Sequence, residues 1–378
     1  MATVKLGDIA IEAKSSNKGD KTGIRIVGLE HLTPSNVTLL LWSEDTENTF
    51  TKEFSKGDVL FGRRRAYLKK AAVAPFDGIC SGDITVIRAI EDKVDPNLLP
   101  FIIQNDFFFD FAVGKSAGSL SPRVKWTHLK EFDIELPSMS EQSKLAETLW
   151  SINETKNAYE DLINKTDELV KSQFIEMFGD PVLNSRQHTV RKLADLGELN
   201  RGVSKARPRN TPDLLGGPYP LIQTGEVAAA QLYVDSYENT YSEKGLAQSR
   251  MWLKGTLCIT IAANIAQTAI LAIDACFPDS VVGFIPGNEV TQIYMHYWFS
   301  FFQKILDEQA PQVAQKNINL KILSNLDVMV PPLELQKQFE NFVEQSDKSK
   351  FALQEAIKDL DALSKKIIAE NLIPAGKE

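Results

Sequence analysis

The most chemically loaded stretch of the 378-residue chain is Gly62-Arg63-Arg64-Arg65-Ala66-Tyr67-Leu68-Lys69-Lys70. Arg63, Arg64, Arg65, Lys69 and Lys70 could neutralise phosphates, and an arginine fork also fits the paired acceptors of guanine. The bland alternative is a solvated strand end. Three successive arginines beside Tyr67, in a chain of net charge −8, favour the functional reading. Lys205, Arg207 and Arg209 form a second basic loop with the same logic and a weaker signal. Lys115, Ser116, Ser119 and Arg123 occupy a small-residue loop, and Gln315, Lys316 and Asn317 a matching loop in the second half. Their side chains suit base edges or phosphates. A polar turn before Ile318 explains Asn317 equally well. Thr224, Asn264 and Gln267, in two loops between apolar runs, complete the candidate set.

Signs of catalysis are few. No G-x-G-x-x-G follows a strand, and there is no P-loop, H-E-x-x-H or G-x-S-x-G. Asp8, Glu12 and Lys14 imitate a nuclease carboxylate–lysine set only loosely. No Asn-Pro-Pro-Tyr or Asp-Pro-Pro-Tyr is present. Cys80, Cys258 and Cys276 are scattered, as are His31, His128, His188 and His296, so neither a disulfide framework nor a metal site is expected. No run has the apolar length of a membrane span, and a signal-peptide core is lacking at the start; a cytoplasmic protein is expected.

The net charge is unevenly shared. Residues 1–137 carry −1, 138–180 carry −5, 181–330 carry 0 and 331–378 carry −2. The acidity therefore sits mainly on two segments, and a neutral block can still present a basic face.

Those two segments must position everything else. Ser138–Phe178 places Leu145, Leu149, Ile152, Tyr159, Ile163, Val170 and Met177 in alternating four-three spacing, interrupted by Lys156 and Thr166. Pro332–Asn371 does the same with Leu335, Phe339, Phe342, Leu353, Ile357, Leu360 and Ile367, with a polar gap at Ser346–Lys350. Each predicts a helix of roughly 60 Å, too amphipathic to stand alone, and Ser138 with Glu141 fits a capping box. Between them the order of elements recurs. Lys56-Gly57 answers Lys254-Gly255. Leu129, Phe132, Asp133, Ile134, Leu136, Pro137 and Gln142 answer Leu323, Leu326, Asp327, Val328, Val330, Pro331 and Gln336 at a constant offset of 194. Helices are expected over Leu98–Val113 and Glu289–Gln309, their aromatics more in keeping with core than with stacking platforms. The reading is an α/β chain of two similar blocks, 1–137 and 181–331. Two long antiparallel coiled-coil-like helices, 138–180 and 332–378, join them about an internal pseudo-two-fold. Two blocks of one plan with different loops suit two related ligands at fixed separation, as in a split site on DNA.

At this point the residues resemble those of the specificity (S) subunits of Type I restriction–modification enzymes. The resemblance is carried by Tyr219-Pro220-Leu221-Ile222-Gln223-Thr224-Gly225, Trp252-Leu253-Lys254-Gly255, Ile259-Thr260-Ile261-Ala262-Ala263-Asn264-Ile265, Gln315-Lys316-Asn317-Ile318 and Val330-Pro331-Pro332-Leu333-Glu334-Leu335-Gln336. It covers essentially the whole chain, although Ser121-Pro122-Arg123-Val124 departs from the Lys316-Asn317-Ile318 pattern. It implies two target-recognition domains, each reading half of a bipartite double-stranded DNA site, and paired helices that set the gap. It also implies two modification (methyltransferase) subunits bound to the helices, and restriction subunits. S-adenosylmethionine, ATP and Mg are expected on those partners, with no cofactor or chemistry on this chain. Two alternatives differ in what they predict. A non-catalytic protein–protein adaptor would lack salt-steep DNA affinity. A lone nuclease or methyltransferase would show activity as the purified chain.

Overall fold

The computed structural model describes residues 2–44, 47–208, 211–262, 265–301 and 318–374. The chain divides into two compact units. The first contains the residues through Leu162 and those from Ala352 on; the second is Ile163–Phe351.

In the first unit, β1 (Ala2–Lys5), β2 (Ala10–Glu12), β3 (Ile26–Val27), β4 (Lys52–Phe54), β5 (Val59–Gly62), β6 (Ala71–Val73), β7 (Gly78–Cys80), β8 (Ile84–Ala89) and β9 (Asp133–Leu136) follow one another. An antiparallel sheet has the order β2-β8-β5-β6, a smaller one β3-β7-β4, and β1 pairs with β9. Successive strand residues face opposite sides, and here both sides are buried. Val59, Phe61, Ala71 and Ile87 join the core that includes the helices. Leu60, Ala72, Ile84 and Val86 join a second core with Val27 and Cys80 of the smaller sheet.

The second unit repeats this plan with β10 (Thr189–Lys192), β11 (Gly197–Arg201), β12 (Leu215–Leu221), β13 (Tyr233–Val234), β14 (Asn239–Tyr241), β15 (Met251–Trp252), β16 (Leu257–Thr260), β17 (Thr268–Leu271), β18 (Ala275–Cys276), β19 (Val281–Pro286) and β20 (Asp327–Val330). The orders are β11-β19-β16-β17-β13, β14-β12-β18-β15 and β10-β20. Removing β13 and β14 leaves the topology of the first unit. The alternation recurs too: Leu257, Ile259 and Phe284 face one core, and Cys258, Ala269 and Val281 the other. The two Lys-Gly pairs owe their recurrence to the backbone. Gly57 and Gly255 both have positive φ, +90° and +87°, a region that favours glycine. Lys56 and Lys254 both donate their N–H to an aspartate, Asp77 and Asp274, at 2.7 Å.

The Phe-rich helix expected over Leu98–Val113 is two helices, Leu99–Ile103 and Asp106–Gly114. Asn105 breaks it by accepting the Phe108 N–H as an N-cap. The second aromatic helix is Gln292–Phe299, capped by Thr291; the end expected near Gln309 lies outside the described residues.

The long helices run Met139–Phe178 and Leu333–Leu372. The Glu141 carboxylate accepts both the N–H (3.0 Å) and the hydroxyl (2.7 Å) of Ser138. Each helix is anchored to its sheet by a buried glutamine. Gln142 donates to the Pro137 carbonyl and accepts the Asp95 N–H, and Gln336 donates to the Pro331 carbonyl and accepts the Thr291 N–H. The seam is not a separate zipper. Ala146, Leu149 and Ile368 belong to the first unit's core, and Phe174, Phe178 and Phe339 to the second's.

The polar interruptions of the seam are one feature seen twice. In the first unit Lys156 binds Asp361 at 2.8 Å, and in the second Lys350 binds Asp167 at 2.8 Å. Both pairs fit one antiparallel register, and the 194-residue offset turns Lys156 into Lys350 and Asp167 into Asp361. Lys350 is 4 % exposed and also holds Asp347 at 2.8 Å. Burial lowers its pKa, but the two carboxylates more than offset this and leave it raised. A buried ammonium stripped of its partners is costly. Replacing both Asp167 and Asp347 with Ala is therefore expected to destabilise the second unit by about 3–5 kcal/mol, read as a lower denaturant midpoint. A shift below about 1 kcal/mol would show that the pair does not hold the helices.

Candidate nucleic-acid interface

The basic stretch is an excursion closed at its root. The Lys70 carbonyl accepts the Gly62 N–H at 2.8 Å, so the chain leaves β5 and re-enters β6 at one point. Between them, a turn of 3-10 helix, Ala66–Leu68, is flanked by Arg65 and Lys69 in left-handed conformations, φ 55° and 52°. Ala66 plugs the core, while Tyr67 and Leu68 are exposed. These two bends part the cations. Lys69 binds Asp106, which also holds Lys365 at 2.8 Å; Lys70 donates to the Leu29 carbonyl at 2.7 Å. Both lysines thus turn to the body of the unit, away from the arginines that share their stretch of sequence.

The arginines meet a second predicted loop. Ala117 and Arg123 exchange backbone hydrogen bonds, Arg65 N–H donates to the Pro122 carbonyl at 2.8 Å, and Val124 N–H donates to the Arg63 carbonyl at 3.0 Å. The 62–70 and 114–124 loops are therefore stitched together. Arg64 donates to the Ser121 hydroxyl at 3.1 Å. Ser119 is exposed, and Leu120 beside it is 90 % exposed. The Lys115 ammonium lies 5.7 Å from the Phe111 ring centre, and the Ser116 hydroxyl donates to the Ala112 carbonyl.

A third turn, Ser81–Asp83, completes the cluster. Arg123 grips the Asp83 carboxylate with Nε (2.7 Å) and Nη2 (3.2 Å), and Arg64 Nη1 lies 3.6 Å from it. The hydrogen bond from Arg123 holds the Asp83 carboxyl below its ordinary pKa against the opposing effect of burial, with Arg64 and Arg63 adding attraction. The Nε atoms of Arg63 and Arg64 are buried without a hydrogen-bond partner. Arg65 is exposed. Three guanidinium groups, those of Arg123, Arg64 and Arg63, thus gather about one carboxylate. Sequence reasoning missed Asp83 because Ser81-Gly82-Asp83 carries an ordinary turn signature. It missed Asp106 because that residue opens a helix of phenylalanines.

In the second unit the candidates are more dispersed. Lys205 is exposed, and its N–H donates to the Gln248 carbonyl at 3.3 Å. Arg207 donates to the Ser204 and Ala206 carbonyls and meets Asp279 at 3.2 Å. Thr224 opens the short helix Thr224–Ala229 and is half-buried. Gln267 is exposed at the rim of a cavity of about 380 Å³ that Lys171, Thr268, His296 and Lys350 also line. Burial, then Lys350 and Lys171, pulls the His296 pKa down to about 4. Arg209, Asn264, Gln315, Lys316 and Asn317 lie outside the described residues. The basic loops occupy different places in the common plan. Arg63–Arg65 follow β5, whose counterpart β16 leads into Ile261 and Ala262, whereas Lys205 and Arg207 follow β11. Among the described residues no group of three or more His, Cys, Asp or Glu side chains could hold a metal ion.

The family model described as the Type I restriction modification DNA specificity domain matches residues 1–168 and again 186–360. The type I restriction enzyme EcoDI specificity subunit of Escherichia coli is 29 % identical over 122 residues, 32 % of this chain. That match spans 26 % of the relative's length. A chain from a structure of complex assembly and conformational transition in the type I R-M system aligns with a TM-score of 0.57 at 20 % identity, covering 98 % of this chain and 97 % of that one. The Type-I restriction-modification system S subunit from M. genitalium aligns with a TM-score of 0.56 at 12 % identity, covering 99 % and 96 %. At these identities the structural likenesses speak to the fold. Because the family model matches twice and the two matches together span most of the chain, the chain belongs to the Type I restriction–modification specificity family, as a DNA-recognition subunit that performs no catalysis of its own.

Proposed function

We propose that the chain reads a bipartite double-stranded DNA site, one half with each target-recognition domain, residues 1–137 and 181–331. The helical segments 138–180 and 332–378 set the gap between the halves and dock two modification subunits, which supply S-adenosylmethionine for adenine methylation. Restriction subunits with ATP and Mg complete the assembly, in the cytoplasm. The observation that carries the reading is the stitched cluster of the first unit, where Arg63 and Arg64 of one loop and Arg123 of a second gather about Asp83 of a third, with Arg65 exposed beside them. Guanidinium groups held this way suit phosphates and the N7/O6 edge of guanine. The different chemistry at the equivalent place in the second unit supports two dissimilar half-sites.

The direct test is co-expression with the modification subunit, followed by mapping of methylated adenines. A split motif dependent on this chain is expected; no new methylation from a soluble, associated complex would count against DNA reading. Changing Arg63, Arg64 and Arg65 together to Ala should weaken DNA binding and flatten the plot of log affinity against log salt by about 0.9 for each phosphate no longer neutralised. An unchanged slope with full affinity would remove the loop from the interface. Lys69→Ala should behave differently, because Lys69 holds Asp106. A lower melting temperature with an unaltered salt slope is expected, and a slope flattened as much as in the arginine variant would contradict that placement.

A further inference from the structure

We propose that Asp83 is a positioning residue for DNA recognition: it holds Arg123 and Arg64 as one preorganised pair of guanidinium groups that discriminates bases in one half of the site. The inference rests on the reading of the first unit as a DNA-recognition domain. Asp83 sits where three loops converge. Its carbonyl accepts the Arg63 N–H at 3.0 Å while its carboxylate takes Nε and Nη2 of Arg123 and approaches Arg64 Nη1. Arg64 is tethered again by Ser121 at 3.1 Å.

A mere neutralising role fits this geometry poorly. One carboxylate against Arg63, Arg64 and Arg123 leaves the cluster positive, so phosphate attraction survives its presence. Two of the five guanidinium N–H groups of Arg123 go to Asp83, which leaves three for another acceptor. The Arg123 side chain is 42 % exposed and that of Arg64 39 %, while Asp83 is only 21 % exposed. The acid thus lies beneath the guanidinium groups. The buried Nε of Arg64 restricts that side chain to offering its terminal nitrogens. An arginine held in one rotamer loses less conformational entropy on binding, and its fork is aimed before the DNA arrives. The lowered pKa of Asp83 keeps the carboxylate ionised across the physiological range.

The test uses the full chain in complex with its modification subunits, with Asp83→Asn, Asp83→Glu and Ser121→Ala variants. Adenine methylation mapping of Asp83→Asn should show relaxed bases in one half of the split motif and an intact other half. In binding assays with duplexes scrambled in either half, Asp83→Asn should lose about tenfold or more of its preference at one half only. Asp83→Glu should recover part of it. If affinity for all duplexes rises with both preferences unchanged, Asp83 only neutralises charge and the proposal falls. If both preferences fall together, its role is general to folding and the proposal falls as well. Should Asp83→Asn fail to fold, Ser121→Ala decides: relaxation confined to one half supports positioning, and an unchanged motif overturns it. Failure of the underlying reading looks different, because the Arg63–Arg65 triple variant would then bind DNA with full affinity and an unchanged salt slope.

Discussion

The lysine–aspartate pairs between the long helices constrain the rest of the structure. An apolar seam at four-three spacing tolerates a slip of one heptad, because leucine meets leucine again. A buried ammonium does not, since the slip leaves it facing hydrocarbon. Lys156 with Asp361 and Lys350 with Asp167 allow one antiparallel register. Each sheet is then tied to that register through Gln142 or Gln336, and each core uses helix residues as part of its wall. The loops at the strand ends inherit their positions from this framework.

The features legible in the sequence were the local ones. The Lys-Gly pairs and the short run from Leu129 to Gln142 depend on residues a few positions apart, and their recurrence revealed the repeat, as the Ser138–Glu141 cap revealed a helix start. Partnerships across long separations stayed hidden. Lys156 looked like a flaw in the seam because its partner lies 205 residues away. Asp83 looked like a turn residue because the arginines it gathers come from 64 and 123. Lys69 and Lys70 stood with Arg63–Arg65 in a single basic run, but the left-handed bends at Arg65 and Lys69 send the charges in different directions. The Phe-rich helix broke at Asn105 because a capping side chain outweighed a continuous apolar pattern.

The two units show how one plan carries two chemistries. Equivalent strands share alternation, order and turn geometry, yet β5 leads into arginines and β16 into Ile261 and Ala262. Among the described residues the second unit also has β13 and β14, which the first lacks, and places its basic loop after β11. The central strands β5 and β16 have little latitude, because both their faces pack against a core. The connections carry no such double obligation.

The hydrogen bond from Gly62 to the Lys70 carbonyl gives this division an evolutionary meaning. It closes the loop at its base, so changes in the excursion are not transmitted to the register of β5 and β6. Ala66 in the core, Lys69 on Asp106 and the backbone bonds of Arg63 and Arg65 to the neighbouring loop hold part of the excursion, while the exposed Tyr67 and Leu68 can be exchanged with little penalty in stability. If the proposed reading holds, a lineage can acquire a new recognition sequence by changing exposed side chains of a short surface segment, while the strands beneath it are inherited intact.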